Sequence, residues 1–469
     1  MAKQSLPTPI LPSRYESLNK SYRAQLRPVP ELIDAAKKAH SSIKINKGVR
    51  FLPVFGESGS GKSSATLELA THLPEARVEL LTPNDISLPM DQLQERIARK
   101  VHLFSKTELI IWVIDQYEEI VEGTIREKVP SQFIEKISII DRGDLAAQPM
   151  LFIWLTTSKE FRDKLVKLSS SRSRRTLLDA SFDLNGPERE TWIDIIKETF
   201  LHHNEGRQLA DYDVLDSRII EAIQGAETIG DAIDNVGGIL ANSAMTQLLD
   251  LSAHQVVMLW PVVDGTGINR VASFTKSNSG YSLNWTSFWD QLTDRDKNDR
   301  DLDGMNRARI YFDFRLIPIP AADFRDIVRK FDISVDITKE AIESLQRTHY
   351  YKVISRDQTE NLRVMFERES QRSADAKTWY ESITADQQAN AAKMLAKTIS
   401  QAGYESEPQY EMKSDFGRVV ADLSTRQNGS KALTELKLFS PRNTTPSAIR
   451  DQIKSTLRKY AKFSGFLQS

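Results

Sequence analysis

Two acids and a lysine late in the chain, and a glycine–serine run near its start, have residue types and spacings that can do chemistry. In "VVADLSTRQNGSKALTELKLF", residues 419–439, Asn428-Gly429 is a two-residue turn signal between two runs of strand character. If it forms the loop, Gln427 faces Ser430. Counting back then sets Asp422 opposite Glu435, with Lys437 two residues further along the same face. Like charges directly opposed on a sheet repel, so removing either carboxylate is expected to relieve up to roughly 1 kcal/mol. A divalent cation resolves the conflict by turning the pair into a ligand set. Carboxylate oxygens suit Mg²⁺ or Mn²⁺, and such an ion lowers the pKa of water and stabilises charge on a phosphoryl group. A nearby lysine can orient or activate that water, or bind the developing charge. The competing reading is a surface hairpin whose charges are merely solvated.

The second set is "GESGSGKSS": Gly56, Glu57, Ser58, Gly59, Ser60, Gly61, Lys62, Ser63 and Ser64. It matches G-x-x-x-x-G-K-[ST], follows a strand pattern ("FLPVF") and opens a helical one ("SSATLELATHL"), the context this motif requires. Glycines let successive backbone N–H groups close around phosphate oxygens, and a helix N-terminus adds positive potential. Lys62 is expected to reach the β- and γ-phosphates of ATP, and the Ser63 hydroxyl to ligate Mg²⁺. An acid ending a neighbouring strand should hold the same ion, and Asp115 closes the apolar run "ELIIWVID".

Loop and acid together resemble the AAA+ and STAND superfamily of P-loop ATPases over about residues 31–250, and "VIDQYEE" looks like the "DQFEE" variant common among STAND proteins. In AAA+ proteins the residue after the acid activates water. Here it is Gln116, so Glu118 or Glu119 takes that role or hydrolysis is slow. The resemblance also implies Thr156 or Thr157 at the sensor-1 position in "LFIWLTTSKEF". In "SRSRR" it implies Arg174 or Arg175 as a finger reaching a neighbouring subunit's nucleotide, against the alternative of a solvated basic loop. "GDAIDNVGGIL" is similar to the sensor-2 segment, with Ile233 in place of its arginine. Both departures favour a switch-type ATPase.

Asp422…Glu435-x-Lys437 resembles the PD-(D/E)XK nuclease superfamily, whose motif is an acid followed across a hairpin by E-x-K; the likeness covers roughly residues 376–469. It implies a preceding helix, "ADQQANAAKMLAKTISQAGY", and a following one, "PSAIRDQIKSTLRKYAKF", with Gln452, Lys454, Arg458 and Lys459 facing DNA. Ala421 replaces the family's proline. Gln387 and Gln388 stand where many members carry a glutamate, which Glu381, Glu405 or Glu407 could supply. A second E-x-K, Glu411-Met412-Lys413, has no turn that would pair it with an acid, so it is set aside.

These residues need elements to hold them. From about 31 to 160, helical patterns alternate with "VRFLPVF", "ARVELLT", "ELIIWVID" and "MLFIWLTT", which indicates a parallel sheet covered on both faces. The expected fold is multidomain α/β. An arm over 1–30, Pro-rich and mobile, precedes a P-loop αβα core over 31–183. A helical lid over 184–250 and a mixed α+β middle region over 251–345 follow, the latter with aromatic-rich strands "VVMLWPVV" and "RIYFDFRLIPI" around a charged loop. The last domain, 346–469, is α/β and restriction-endonuclease-like.

The 469 residues carry a net charge of −1, so any basic surface is local. No cysteine is present, which excludes disulfides and thiolate chemistry and fits a reducing cytosol. No apolar run is long enough to span a bilayer, and the first residues lack a signal-peptide core, so a cytoplasmic protein is expected. "DRDLDG" begins like a calcium loop, but its twelfth position is Ile310. His202 and His203 are adjacent, diverge on a helix, and read as an exposed helix end. The aromatics of 251–335 read as core. The expectation is an ATP-binding, Mg²⁺-dependent DNA endonuclease, oligomeric or assembled with a partner protein. Its architecture resembles prokaryotic defence proteins; the alternative is a nucleotide-switched scaffold that grips DNA or a partner without cutting.

Overall fold

The computed structural model describes residues 7–115, 128–247, 254–276, 279–328, 331–355, 362, 371–427, 430–438 and 444–467. The chain divides into two compact units. One is Pro9–Arg207 with Asp216–Ile239; the other is Met1–Thr8 with Gln208–Leu215 and Leu240–Ser469.

In the first unit, β1 (Val49–Phe55), β2 (Ala76–Leu81), β3 (Leu109–Ile114) and β4 (Met150–Thr156) form a parallel sheet of order β1-β4-β3-β2. The side-chain period of two divides each apolar strand between two cores. Phe51, Trp112 and Trp154 face the helices Met90–Val101 and Val129–Ile140, while Leu52, Val113 and Ile153 face the helix Pro30–Asn46. Residues 176–184 run beside β1, with Leu178 N–H donating to Phe51 O (2.9 Å) and Leu184 N–H to Phe55 O (2.8 Å). The expected mobile arm is instead packed from residue 9 onward. Tyr22 is buried, with its phenol 2.8 Å from Thr199 Oγ1, and His203 Nε2 accepts from Asn19 N–H (2.9 Å). His203 is therefore a structural anchor as well as a helix end.

The expected helical stretch is present as Trp192–His203, Asp216–Gln224 and Ile229–Gln247. Its domain limits change, because 208–215 and the residues after 239 belong to the second unit.

The second unit is built on one mixed sheet of seven strands, in the order β6-β7-β8-β5-β11-β10-β9. They are β5 (His254–Val262), β6 (Thr275–Lys276), β7 (Ser282–Leu283), β8 (Arg315–Pro320), β9 (Glu405–Ser414), β10 (Gly417–Gln427) and β11 (Ser430–Leu436). β11 runs parallel to β5, with Leu433 opposite Val256 and Glu435 opposite Met258. This corrects the expected division at 345/346: the middle region supplies the centre of the same sheet that carries the hairpin. One face packs on the helices Leu302–Tyr311 and Pro446–Phe463 through Met305, Ala308, Ile453 and Leu457. The other packs on the helix Ala385–Gln401 through Ala392, Leu395 and Ile399.

"RIYF" is not strand. Leu302, Met305, Ala308 and Phe312 recur at helical spacing and are all buried, and that period overrides the β preference of the aromatics. The aromatics of this region are core, as expected: Trp260, Trp285, Phe288 and Phe314 are buried. Among the described residues no helix is long and apolar enough to cross a membrane.

Candidate functional site

β10 and β11 pair with Gln427 opposite Ser430 and Leu423 opposite Thr434, the register read from the turn; Asn428 and Gly429 themselves lie outside the described residues. The next residues along the two strands are Asp422 and Glu435. Here the ladder opens. Leu436 N–H donates to Asp422 Oδ2 (2.7 Å) and Lys437 N–H donates to Leu259 O of β5 (2.8 Å).

Glu435 is 4% exposed. Its Oε1 accepts from Lys459 Nζ (2.6 Å) and from the Tyr460 phenol (2.8 Å), while its Oε2 lies 3.5 Å from Lys437 Nζ. Lys459 Nζ also donates to Val420 O (2.6 Å). Burial, and then the charge of Glu435, push the Asp422 carboxyl above its ordinary value, against the Leu436 N–H and the two lysines. Burial and the same carboxylates raise the Tyr460 phenol well above its ordinary range. The opposed acids are thus held by two ammonium groups and a phenol within the protein itself.

Asp422 Oδ2 is committed to one N–H and Glu435 Oε2 has only the long lysine contact, so each acid keeps an oxygen with donor capacity. Among the described residues no group of three or more His, Asp or Glu side chains is placed to hold a metal ion, so Mg²⁺ or Mn²⁺, if bound here, would rest on these two acids. Water and substrate phosphate oxygens would complete its shell, the manner in which Mg²⁺ is ordinarily bound.

The helix Pro446–Phe463 brings Lys459 and Tyr460 to the hairpin by burying Ile449, Ile453, Leu457 and Tyr460 along one stripe. Lys459, expected to face DNA, has its ammonium on Glu435. Lys454 and Arg458, also expected to face DNA, are ion-paired: Lys454 with Asp296 and with Asp299 (3.2 Å), Arg458 with Asp299 and with Asp301 (2.9 Å). Gln452 is half-buried and its backbone carbonyl accepts from Thr456 Oγ1 (2.8 Å). Tyr460 was not singled out from sequence. Its signal is a phenol on the apolar face of an amphipathic helix, where a buried O–H needs a partner.

The second E-x-K sits on β9, which does turn into β10, with Ser414 opposite Gly417. Glu411 faces Val420 there, so no acid opposes it.

The glycine-rich loop that begins at Gly56, the expected phosphate site, leaves β1 at the C-terminal edge of the parallel sheet. Gly56 N–H donates to Thr156 O (3.0 Å), Ser60 N–H to Glu57 O (3.1 Å), and Lys62 Nζ to Glu57 O (3.3 Å). Gly59 and Gly61 have φ of 80° and 86°, a region that favours glycine. Glu57 and Ser58 are exposed, and Ser63 and Ser64 lie half-buried on the helix Lys62–Leu67. The Ser60 hydroxyl is buried with no hydrogen-bond partner among the described residues. Asp115 follows β3 on the same edge, one strand removed from β1 because β4 lies between them. Gln116, Glu118 and Glu119 lie outside the described residues.

Thr156 is buried as the last residue of β4, and its hydroxyl accepts from Ser158 N–H (3.0 Å); Thr157 is exposed. Arg175 is paired with the buried Asp141 (2.7 Å), which also accepts Val49 N–H (2.9 Å). Arg175 therefore sits at the opposite end of β1 from the phosphate loop, and Arg174, exposed, is the freer of the two finger candidates. Ile233 is core.

The start of the helix Ile229–Gln247 rests on the loop, with Gly230 N–H donating to Gly59 O (3.0 Å). A Cβ at Gly230 would lie 2.7 Å from Gly59 Cα, which only backbone movement can relieve. Gly230→Ala should therefore destabilise this unit by about 1–3 kcal/mol and weaken nucleotide binding several-fold. Gly225→Ala, where a Cβ meets nothing within 4 Å, should leave nucleotide affinity unchanged. Thermal melts and nucleotide titrations of the two variants check this, and equal behaviour would remove the contact from the site.

No known family model matches the chain, and no curated protein matches it.

Proposed function

We propose that this chain is an ATP-binding, metal-dependent DNA endonuclease, in which a P-loop ATPase unit of switch type controls a nuclease site at Asp422, Glu435 and Lys437. The observation that carries the reading is the hairpin register, which brings the two acids of an Asp…Glu-x-Lys set to the point where β11 leaves β10. The buried, unpartnered Ser60 hydroxyl within a glycine-shaped loop supports the nucleotide half.

Asp422 and Glu435 would hold Mg²⁺ or Mn²⁺, which supplies Lewis-acid stabilisation of a phosphoryl oxygen and a more acidic water. Tyr460 and Lys459 fix the Glu435 carboxylate in one rotamer. Lys437, 14% exposed at its side chain and 3.5 Å from Glu435 Oε2, would orient water or neutralise charge on the scissile phosphate. In the other unit, Lys62 would neutralise the β- and γ-phosphates, and Ser63 and Asp115 would hold Mg²⁺. Glu118 or Glu119 would activate water. A role in defence against foreign DNA, in an oligomer or with a partner protein, is part of this proposal and rests on architecture alone.

One observation favours a second reading, a nucleotide-switched scaffold that binds without cutting: Glu435 is already satisfied by two lysines and a tyrosine. Plasmid incubated with Mg²⁺ or Mn²⁺, with and without ATP, separates the two. The nuclease reading expects cutting that Asp422→Asn and Lys437→Ala abolish. Intact plasmid under every condition, or undiminished cutting by both variants, would overturn it.

A further inference from the structure

We propose that Asp296, Asp299 and Asp301 are a built-in stand-in for nucleic-acid phosphates on the helix Pro446–Phe463, and that substrate must displace them to reach the Glu435 site. The inference rests on the nuclease reading for what lies beyond the helix, but the displacement itself is a property of binding.

Lys454 and Arg458 are four residues apart, on neighbouring turns of one helix face. Across from them the segment 296–301 presents three carboxylates. Asp299 bridges both cations, Asp296 bonds Lys454 and Asp301 bonds Arg458. Lys454 holds the Asp296 carboxyl down to about 2, so that pairing persists across the physiological range.

The pairs wall an open cleft of about 510 Å³, lined by Lys454, Arg458, Lys459 and Lys462 together with Ser455 and the acids Asp296 and Asp451. Lys459 is the same ammonium that bonds Glu435, so the cleft leads from the paired cations to the carboxylate site. Lys462, exposed, continues the stripe begun by Lys454 and Arg458.

These ion pairs are not needed to dock the helix. Met305, Ala308, Ile453, Leu457 and Tyr460 already bury the contact between Leu302–Tyr311 and Pro446–Phe463. The Arg458–Asp301 pair, part-exposed on both sides, adds little to such an interface, and in the more buried Lys454 pairs desolvation offsets much of the attraction. Their chemistry matches that of a polyanion held at the same cations. A phosphate backbone presents regularly spaced negative charge, and its affinity falls as competing anions occupy the lysines and arginines.

The test uses the full-length protein and a fluorescently labelled DNA duplex in EDTA, where nothing is cut. Asp296 also closes the helix Asp294–Lys297 in a capping box with Thr293, so the lead variant leaves it alone. Asp299→Asn/Asp301→Asn should bind roughly 10-fold more tightly by anisotropy. Its salt slope should steepen by about one to two, since each phosphate contact adds close to 0.9. Asp336→Asn/Asp375→Asn, which removes the same charge from exposed positions elsewhere in the unit, should move affinity by less than about 2-fold. Lys454→Glu/Arg458→Glu should lose at least about 10-fold.

An Asp299/Asp301 variant no tighter than the control pair overturns the inference. So does a lower melting temperature without a gain in affinity, or a failure of wild type and all variants to bind the duplex. The nuclease reading fails separately, when duplex is bound as described but plasmid with Mg²⁺ or Mn²⁺ stays uncut.

Discussion

Glu435→Ala should cost about 3 kcal/mol or more, while Asp422→Asn should leave the fold equally stable or raise its stability. Sequence reasoning treats the two acids alike, since removing either relieves a repulsion. Their surroundings make them opposites. Glu435 is the shared acceptor for Lys459, Tyr460 and Lys437, and its loss strands two cations and a phenol in a buried site. In a unit of this size the change corresponds to a melting shift of about 6–12 °C. Asp422 accepts a single N–H, which an amide oxygen accepts equally well, and its charge is the one disfavoured by burial and by Glu435.

The pH dependence follows from that. Asp422 binds its proton more tightly in the folded chain than at its ordinary 3.8, so its protonated form favours folding, and that contribution is lost as pH rises through the raised value. Asp422→Asn keeps the neutral form throughout. Its advantage over wild type should therefore be small near about pH 4 and larger near about pH 8. Melts of both variants at the two pH values check the claim. Matching losses for Glu435→Ala and Asp422→Asn would mean that the network around Glu435 does not hold in solution.

Lys62→Ala should weaken ATP binding by at least about 100-fold, or roughly 2.7 kcal/mol. The loop glycines can still present backbone N–H groups, but no other cation in "GESGSGKSS" can neutralise the β,γ-phosphate charge. Lys62 Nζ donates to Glu57 O at 3.3 Å, a long bond to a neutral carbonyl, and a charged phosphate oxygen is the stronger acceptor. The fold should be indifferent, because Lys62 is half-buried and takes no part in the sheet cores. Isothermal titration with Mg²⁺–ATP reads the effect directly; unchanged affinity would place the nucleotide elsewhere.

Much of this arrangement is legible locally. "LIIWVI" and "MLFIWLT" read as buried parallel strands because both of their faces are apolar, and both are. The Asn-Gly signal gives the register in which Gln427 pairs with Ser430, and the helix Pro446–Phe463 spans the residues its proline start and apolar stripe indicate. What escapes is non-local. Nothing in the pattern of "VVMLWPVV" says that it pairs with β11, and so the middle region reads as separate. Nor does "DRDKNDRDLDG" announce that its acids meet Lys454 and Arg458; a charge-rich stretch reads as solvated until the partner helix is placed. The Glu435 network escapes for the same reason, since Tyr460 lies on another element.

The parallel pairing of β5 with β11 also sets a schedule for synthesis. β11 follows β5 by about 170 residues, which at ordinary translation rates is about 10–30 s of elongation. Even after β8 has been made and paired on one side, the apolar strand "HQVVMLWPV" keeps an open edge on the other until β11 arrives. A nascent chain of this protein should therefore be a chaperone client, with β5 as its exposed sticky edge. Ribosome-released fragments ending before residue 430 should aggregate, whereas fragments extending through the last helix should not.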